Sequence, residues 1–313
     1  MAAIGTDIQH AATLLRQGEI VGIPTETVYG LAAHALLPDA VAKIFEAKNR
    51  PFFDPLIVHV SAADDVLRYV TDFPEKARTL AAMFWPGPLT LLLPRNSLIP
   101  DLVTSGLATV GVRCPRHTLL QELLGELDFP LAAPSANPFG YISPTTTAHV
   151  QAQLGHLIPY ILDGGPCAVG IESTIVGFEN GVTIHRLGGI TREEIEHVLG
   201  PVQVVAHQQH YPLAPGQLDS HYSPRKQLVI GAIPDLQKRY AHLPVAILSY
   251  QTNYEVAHQV ILSRSGNLRE AAQRLFAALR ELDDSQAQVI LAEPVPDVGL
   301  GRAINDRLRR AAA

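Results

Sequence analysis

The chain has 313 residues, 47% of them hydrophobic and 17% charged, with a net charge of −6 at pH 7 and two cysteines. That length suits roughly two domains, and that composition predicts sizeable cores and excludes a disordered chain. Cys114 and Cys167 cannot build a disulfide framework or a structural zinc module, and no apolar run nears the roughly 20 residues that span a bilayer.

In chain order, Thr6-Asp7-Ile8-Gln9 fits a capping box, Leu14 and Leu15 supply an apolar stripe, and Gly18 ends a first helix. The N-terminus has no basic region followed by an apolar block, so no signal peptide is expected and the protein reads as soluble and cytoplasmic. Residues 19–24 form a short buried strand, and 25-TETVYGLAA-33 reads as a turn leading into a helix. A helix over 39–48 precedes a strand over 55–60. Further strands are expected at 89–94, 109–115 and 130–136, with helices near 62–70, 74–84 and 117–125. The most apolar stretch, 81-AAMFWPGPLTLLLP-94, is cut by Pro86 and Pro88. Strands follow at 160–165, 172–178 and 182–188, and a helix at 191–200 closes the series. Strands and helices alternate at first and strands pair later, which predicts an α/β domain over 1–200 with a mixed, twisted sheet.

Residues 201–227 carry Pro201, Pro212, Pro215 and Pro224 with little periodicity and read as an ordered linker. From 228 the alternation restarts: strands at 228–233, 244–250, 258–262 and 288–294, and helices around 235–242, 267–282 and 301–312. That makes 228–313 a smaller, Rossmann-like α/β domain. No internal repeat or low-complexity tract is present.

Residues 1–200 hold 12 Lys/Arg against 20 Asp/Glu, a balance of −8, and the remainder comes to +2. No basic sheath for tight nucleic-acid binding exists, so any anion site in the first domain must be local. Lys48 and Arg50 are the first candidates. Cations at a helix C-terminus have a structural reading through the macrodipole, but Pro51 stiffens the backbone behind a guanidinium that can grip phosphate bidentately. His59 shares a face with Ile57 and reads by itself as a core residue. In 134-PSANPFGYISPT-145, Ser135, Asn137 and Ser143 place small polar groups on a proline-held loop, which is either a plain connection or a cradle for phosphate oxygens. No G-x-x-x-x-G-K-[ST] occurs. Arg113 and Arg186 end strands, where they are surface charges or carboxylate ligands. Ser173 and Thr174 follow Glu172 and fit ordinary edge positions. His207 and His210 have metal-ligand spacing without acid or cysteine partners. The run 299-GLGRAI-304 lacks the third glycine of a dinucleotide fingerprint and reads as a helix start. No G-x-S-x-G or defensible Ser/His/Asp order appears.

Taken together, PTETVYGL (24–31), KNRP…PLIVHV (48–60), WPGPLTLLL (85–93), TVGVRCP (109–115), PLAAPSAN…SPT (130–145), DGG…GIESTIV (163–176) and HRLGGIT (185–191) resemble, in order, the YrdC-like domain of L-threonylcarbamoyladenylate synthases. The segment 214-APGQLDSHYSP-224 resembles the signature of their long, two-domain form. The resemblance implies condensation of L-threonine, bicarbonate and ATP, with Mg²⁺ carried by the ATP, into threonylcarbamoyl-AMP and pyrophosphate. A tRNA threonylcarbamoyl transferase complex would receive the product. By the same resemblance Lys48, Arg50, Ser135 and Asn137 match the phosphate-handling tetrad. Thr109, Ser143 and Arg186 match further ATP contacts, as do His221 and Tyr222 in a linker expected to fold over the site. Thr27, His59, Arg113, Ala133 and Ser173 match the threonine pocket. Asp54 is carried over as an ATP contact although many relatives have Asn or His there. A non-catalytic RNA-binding YrdC-like module is the alternative, set against the acidic first domain. A hydrogenase-maturation carbamoyltransferase would need cysteine-rich zinc modules, and an inactive paralogue would not need the intact K-x-R and S-x-N pairs.

Overall fold

The structure, a computed structural model, describes residues 1–205 and 221–313. His207, His210, Pro212, Pro215 and most of 214-APGQLDSHYSP-224 lie outside the described residues. The chain begins with β1 (Ala3–Gly5), α1 (Ile8–Arg16), β2 (Val21–Ile23), β3 (Gly30–His34), α2 (Pro38–Lys48) and β4 (Ile57–His59). It continues through α3 (Glu75–Phe84), β5 (Leu89–Pro94), α4 (Asp101–Thr104), β6 (Thr109–Arg113), α5 (Thr118–Gly125) and β7 (Leu131–Ala132). Next come α6 (Thr147–Leu154), β8 (Tyr160–Leu162), β9 (Thr174–Gly177), β10 (Thr183–Arg186), α7 (Arg192–Leu199) and β11 (Gln203–Val204). The C-terminal part holds β12 (Gln227–Ile230), α8 (Ile233–Arg239), β13 (Val245–Ser249), β14 (His258–Ile261), α9 (Leu268–Asp284), β15 (Val289–Ala292) and α10 (Leu300–Ala311).

β1 to β11 join in one mixed sheet in the order β1-β8-β2-β3-β7-β4-β6-β5-β9-β10-β11, and the C-terminal strands make a parallel sheet in the order β12-β15-β13-β14. A mixed sheet in an N-terminal domain and a smaller parallel sheet in a C-terminal one agree with the sequence reading.

Several local expectations need correction. Asp7, not Thr6, caps α1, its carboxylate accepting from His10 N. No helix follows the turn at 25–29. The alanine-rich run enters β3, antiparallel to β2 on one side and β7 on the other. Two flanking strands satisfy its backbone groups, and that outweighs the helical preference of alanine. Residues 64–68 form a 3₁₀ turn instead of a full helix. β1, α4, α6 and β11 were not expected. α6 carries a readable signal all the same, since the Thr146 hydroxyl accepts from His149 N at its start.

α9 and α10 pack the smaller domain onto the larger one. Leu275, Phe276 and Leu279 of α9 and Ile304 and Leu308 of α10 share one buried cluster with Val28, Ile142, Ile171 and Tyr222. Full burial of each such side chain is worth roughly 1.5–3 kcal/mol. Gly170 permits the approach: a Cβ there would fall 2.3 Å from the Gln273 backbone of α9, and its φ of +80° already favours glycine.

Candidate active site

A cleft opens over the sheet face that carries Ile57 and His59. Thr25, Thr27, Arg50, Arg113, Ala133, Ser135, Glu172, Ser173, Arg186, His221 and Tyr222 complete its polar walls and floor. β4 and β6 run parallel with His59 opposite Arg113, so both side chains reach the cleft from neighbouring strands. Alternation along a strand puts residues i and i+2 on one face, which is why Ile57 and His59 face it together.

Lys48 and Arg50 are brought there by the end of α2. Asn49 between them is left-handed (φ 49°, ψ 40°), and this reversal turns both neighbours inward. Lys48 is 1% exposed and Arg50 7%. The Lys48 ammonium donates to the Ser135 carbonyl at 2.6 Å and to the Asn137 carbonyl. Burial and the nearby Arg50 push its pKa well below the usual lysine value. Lys48 therefore holds the 135–137 loop from behind, while Arg50 and Ser135 face the cleft. Arg50 donates to the carbonyls of Asp54 and Pro55 and pairs with the Asp54 carboxylate at 2.9 Å. Burial raises the Asp54 pKa, and Arg50 and Lys48 oppose that rise.

At the other end, Arg113 donates to the Thr27 hydroxyl at 2.9 Å and pairs with Glu26 at 2.7 Å. The Thr27 hydroxyl also meets that of Thr25 at 2.8 Å. Burial, then Arg113, push His59 down to about 3, so its imidazole is neutral at ordinary pH. Arg186 donates to the carbonyl and the hydroxyl of Ser173, both at 3.0 Å. Tyr222 adopts φ 64° and is buried, edge-on to His221 at 4.1 Å. Asn137 Oδ1, His221 Nδ1 and the Tyr222 hydroxyl are buried without hydrogen-bond partners among the described residues. Buried polar atoms are rarely left so, and their clustering here suits a polar ligand.

The structure thus brings Arg50 and Ser135 into one cleft with Thr27, His59, Arg113, Ala133 and Ser173, and sets Lys48 behind it on the carbonyls of Ser135 and Asn137. Ser143 stands behind the wall, its hydroxyl donating to Glu172 Oε1 at 2.6 Å. Thr109 is not brought in. It lines a separate groove with Thr183 and His185. Thr109 alternates onto the same face as Arg113, but four residues of strand displace it by about 13 Å. Sequence reasoning passed over Glu26, flanked by Thr25 and Thr27, Glu172, followed by Ser173 and Thr174, and Arg307, which reads as one basic residue among several in the last helix.

Residues 13–188 match the family model for Sua5, YciO and YrdC proteins, described as telomere recombination, and residues 190–313 match that of the threonylcarbamoyl-AMP synthase C-terminal domain. Threonylcarbamoyl-AMP synthase of Bacillus subtilis is 41% identical over 97% of this chain and 92% of that protein. Its namesake in Pyrococcus abyssi is 39% identical over 97% and 93%. The crystal structure of P. abyssi Sua5 complexed with L-threonine superposes with a TM-score of 0.94 at 38% identity, covering 97% of this chain and 94% of that one.

Proposed function

The chain belongs to the threonylcarbamoyl-AMP synthase family and carries both of its domains, and from that premise we propose that it joins L-threonine, bicarbonate and ATP into threonylcarbamoyl-AMP and pyrophosphate. The observation that carries the reading is the charge pattern of the cleft: Arg50, Arg113 and Arg186 line it against one carboxylate, Glu172, among the described residues. Such a wall suits a ligand with a carboxylate at one end and phosphates at the other.

The threonine α-amine bonds to the carbon of bicarbonate-derived carbon dioxide, its proton leaving with the bicarbonate hydroxyl as water, and gives a carbamate. A carbamate oxygen then bonds to the α-phosphorus as the bond to pyrophosphate breaks. Charge grows on phosphoryl and leaving-group oxygens, so the protein must supply alignment and fixed positive charge more than a covalent nucleophile. Arg113 would take the threonine carboxylate, Glu26 and Thr27 fixing its guanidinium from the far side. Thr27, Ser173 and neutral His59 would offer hydrogen bonds to the rest of the amino acid. Arg50 and the Ser135 hydroxyl would meet phosphate, with Lys48 ordering their loop and adding charge at short range. Asn137, Arg186, His221 and Tyr222 would complete the ATP wall, Ser143 acting through Glu172. Magnesium would arrive with the triphosphate and neutralise part of its charge. Phosphate oxygens and water would supply most of its ligands. The product is a labile mixed anhydride that a tRNA threonylcarbamoyl transferase complex would consume in the cytoplasm.

The test is pyrophosphate release with ATP, threonine and bicarbonate each omitted in turn. Release should require all three. Arg50→Ala and Lys48→Ala should each lower it about a hundredfold or more with the circular-dichroism spectrum unchanged. Release independent of threonine would overturn the reading.

A further inference from the structure

One guanidinium from the C-terminal domain touches three separate segments of the cleft wall. Arg307 of α10 is 0% exposed. Its Nε donates to Glu172 Oε2 at 3.1 Å, and its Nη1 donates to the Leu187 carbonyl at 2.5 Å and to Asp306 Oδ2 at 3.0 Å. Its Cζ lies 5.4 Å from the centre of the Tyr222 ring. Each contact adjoins a group of the ATP wall. Glu172 receives the hydroxyl of Ser143 on its other oxygen. Leu187 follows Arg186. Tyr222 lines the cleft itself.

We propose that Arg307 is a positioning residue for ATP: it pins the Glu172 carboxylate away from Arg186 and keeps Ser143, Arg186 and Tyr222 in register. This rests on the synthase reading above. The physical argument turns on Glu172, the carboxylate among the arginines of the cleft wall. A buried carboxylate that loses its cation must find another. Arg186 is the cation at hand, since it lines the same cleft as Glu172 and its guanidinium already donates to the carbonyl and hydroxyl of the next residue, Ser173. Without Arg307, Glu172 would compete with phosphate for Arg186. No described contact of Arg307 reaches Arg113, Thr27, His59 or the Ser173 side chain, so the threonine carboxylate, held by Arg113, should be spared. A lysine would keep the charge but could not serve Glu172 and the Leu187 carbonyl together, because it lacks the rigid fork.

The experiment measures pyrophosphate release by wild type, Arg307→Met, Arg307→Lys and the double variant Arg307→Met/Glu172→Gln, with threonine binding followed by calorimetry. In Arg307→Met the KM for ATP should rise about tenfold or more while the threonine Kd stays within about twofold. Arg307→Lys should show a smaller rise of the same kind. Glu172→Gln in the Met background should recover much of the loss, because it removes the stranded charge. An unchanged KM for ATP, or ATP and threonine affinities falling together with no recovery in the double variant, would overturn the proposal. Wild type lacking threonine-dependent release would instead sink the synthase reading, so the two failures are distinguishable. If Arg307→Met does not fold, as shown by loss of its circular-dichroism spectrum, the Lys variant decides: a KM for ATP equal to wild type refutes.

Discussion

Asp54 shows how one residue can set the character of an anion site. Its carboxylate is 0% exposed and pairs with Arg50 at 2.9 Å. The pair keeps a buried guanidinium charged, and it also offsets charge that phosphate would use. Asp54→Asn should therefore act in two directions. The free protein should lose stability, by about 3 kcal/mol or more, because a buried cation is left uncompensated. ATP should then raise the melting temperature by more than in wild type, since Arg50 no longer shares its charge with a carboxylate. Thermal unfolding with and without ATP checks both signs, and a smaller ATP-induced rise in the variant would show that Asp54 assists nucleotide binding. K-x-R in the sequence announced a cationic pair. It could not announce that Lys48 spends its donors on two loop carbonyls while Arg50 faces the cleft, because that division depends on where residues 135–137 return.

At the scale of elements, the last turn of α2 is the decisive piece. A left-handed residue after a helix suits Gly or Asn and costs other residues about 1–2 kcal/mol. Asn49 fills that position between the two cations. Asn49→Gly should leave stability and activity close to wild type. Asn49→Ala should lower stability by about 1 kcal/mol and reduce pyrophosphate release as well, because a shifted turn re-aims Lys48 and Arg50 together. Denaturant unfolding beside steady-state rates separates the two effects, and an Asn49→Ala enzyme with full activity would mean the turn has no part in aiming them. β3 carries the opposite lesson. Residues 30–34 look helical taken alone and become a strand because β2 and β7 flank them. α6 is legible from Thr146 at its start and Gly155 at its end, although the sequence reading assigns no element between 145 and 160.

For the whole molecule, buried histidines set the acid limit of stability. His59 is held down to about 3 by burial and by Arg113, against an unfolded value of about 6.5. Between those values the unfolded chain binds a proton that the folded chain does not. The contribution is complete above about pH 6.5 and is lost as pH falls, at about 1.4 kcal/mol per pH unit, or about 2 kcal/mol by pH 5. His149, lowered to about 4, and His221, lowered well below its usual value, act in the same direction. Unfolding free energy should thus drop from pH 7.5 to pH 5 in wild type and drop less in His59→Gln. Equal drops in the two proteins would show that His59 is protonated in the folded state without cost.

The sequence by itself determined the two-domain α/β order and most strand and helix positions, because apolar period, caps and strand-end cations are local signals that depend on near neighbours alone. Most groups at the cleft are named through the family resemblance of the ordered motifs. The tertiary structure decided which of those groups meet. Strand register set His59 beside Arg113 and left Thr109 in another groove. The docking of α10 brought Arg307 onto Glu172, 135 residues away in sequence. Charge pairing between distant segments has no period and no fixed spacing, so only the folded chain records it.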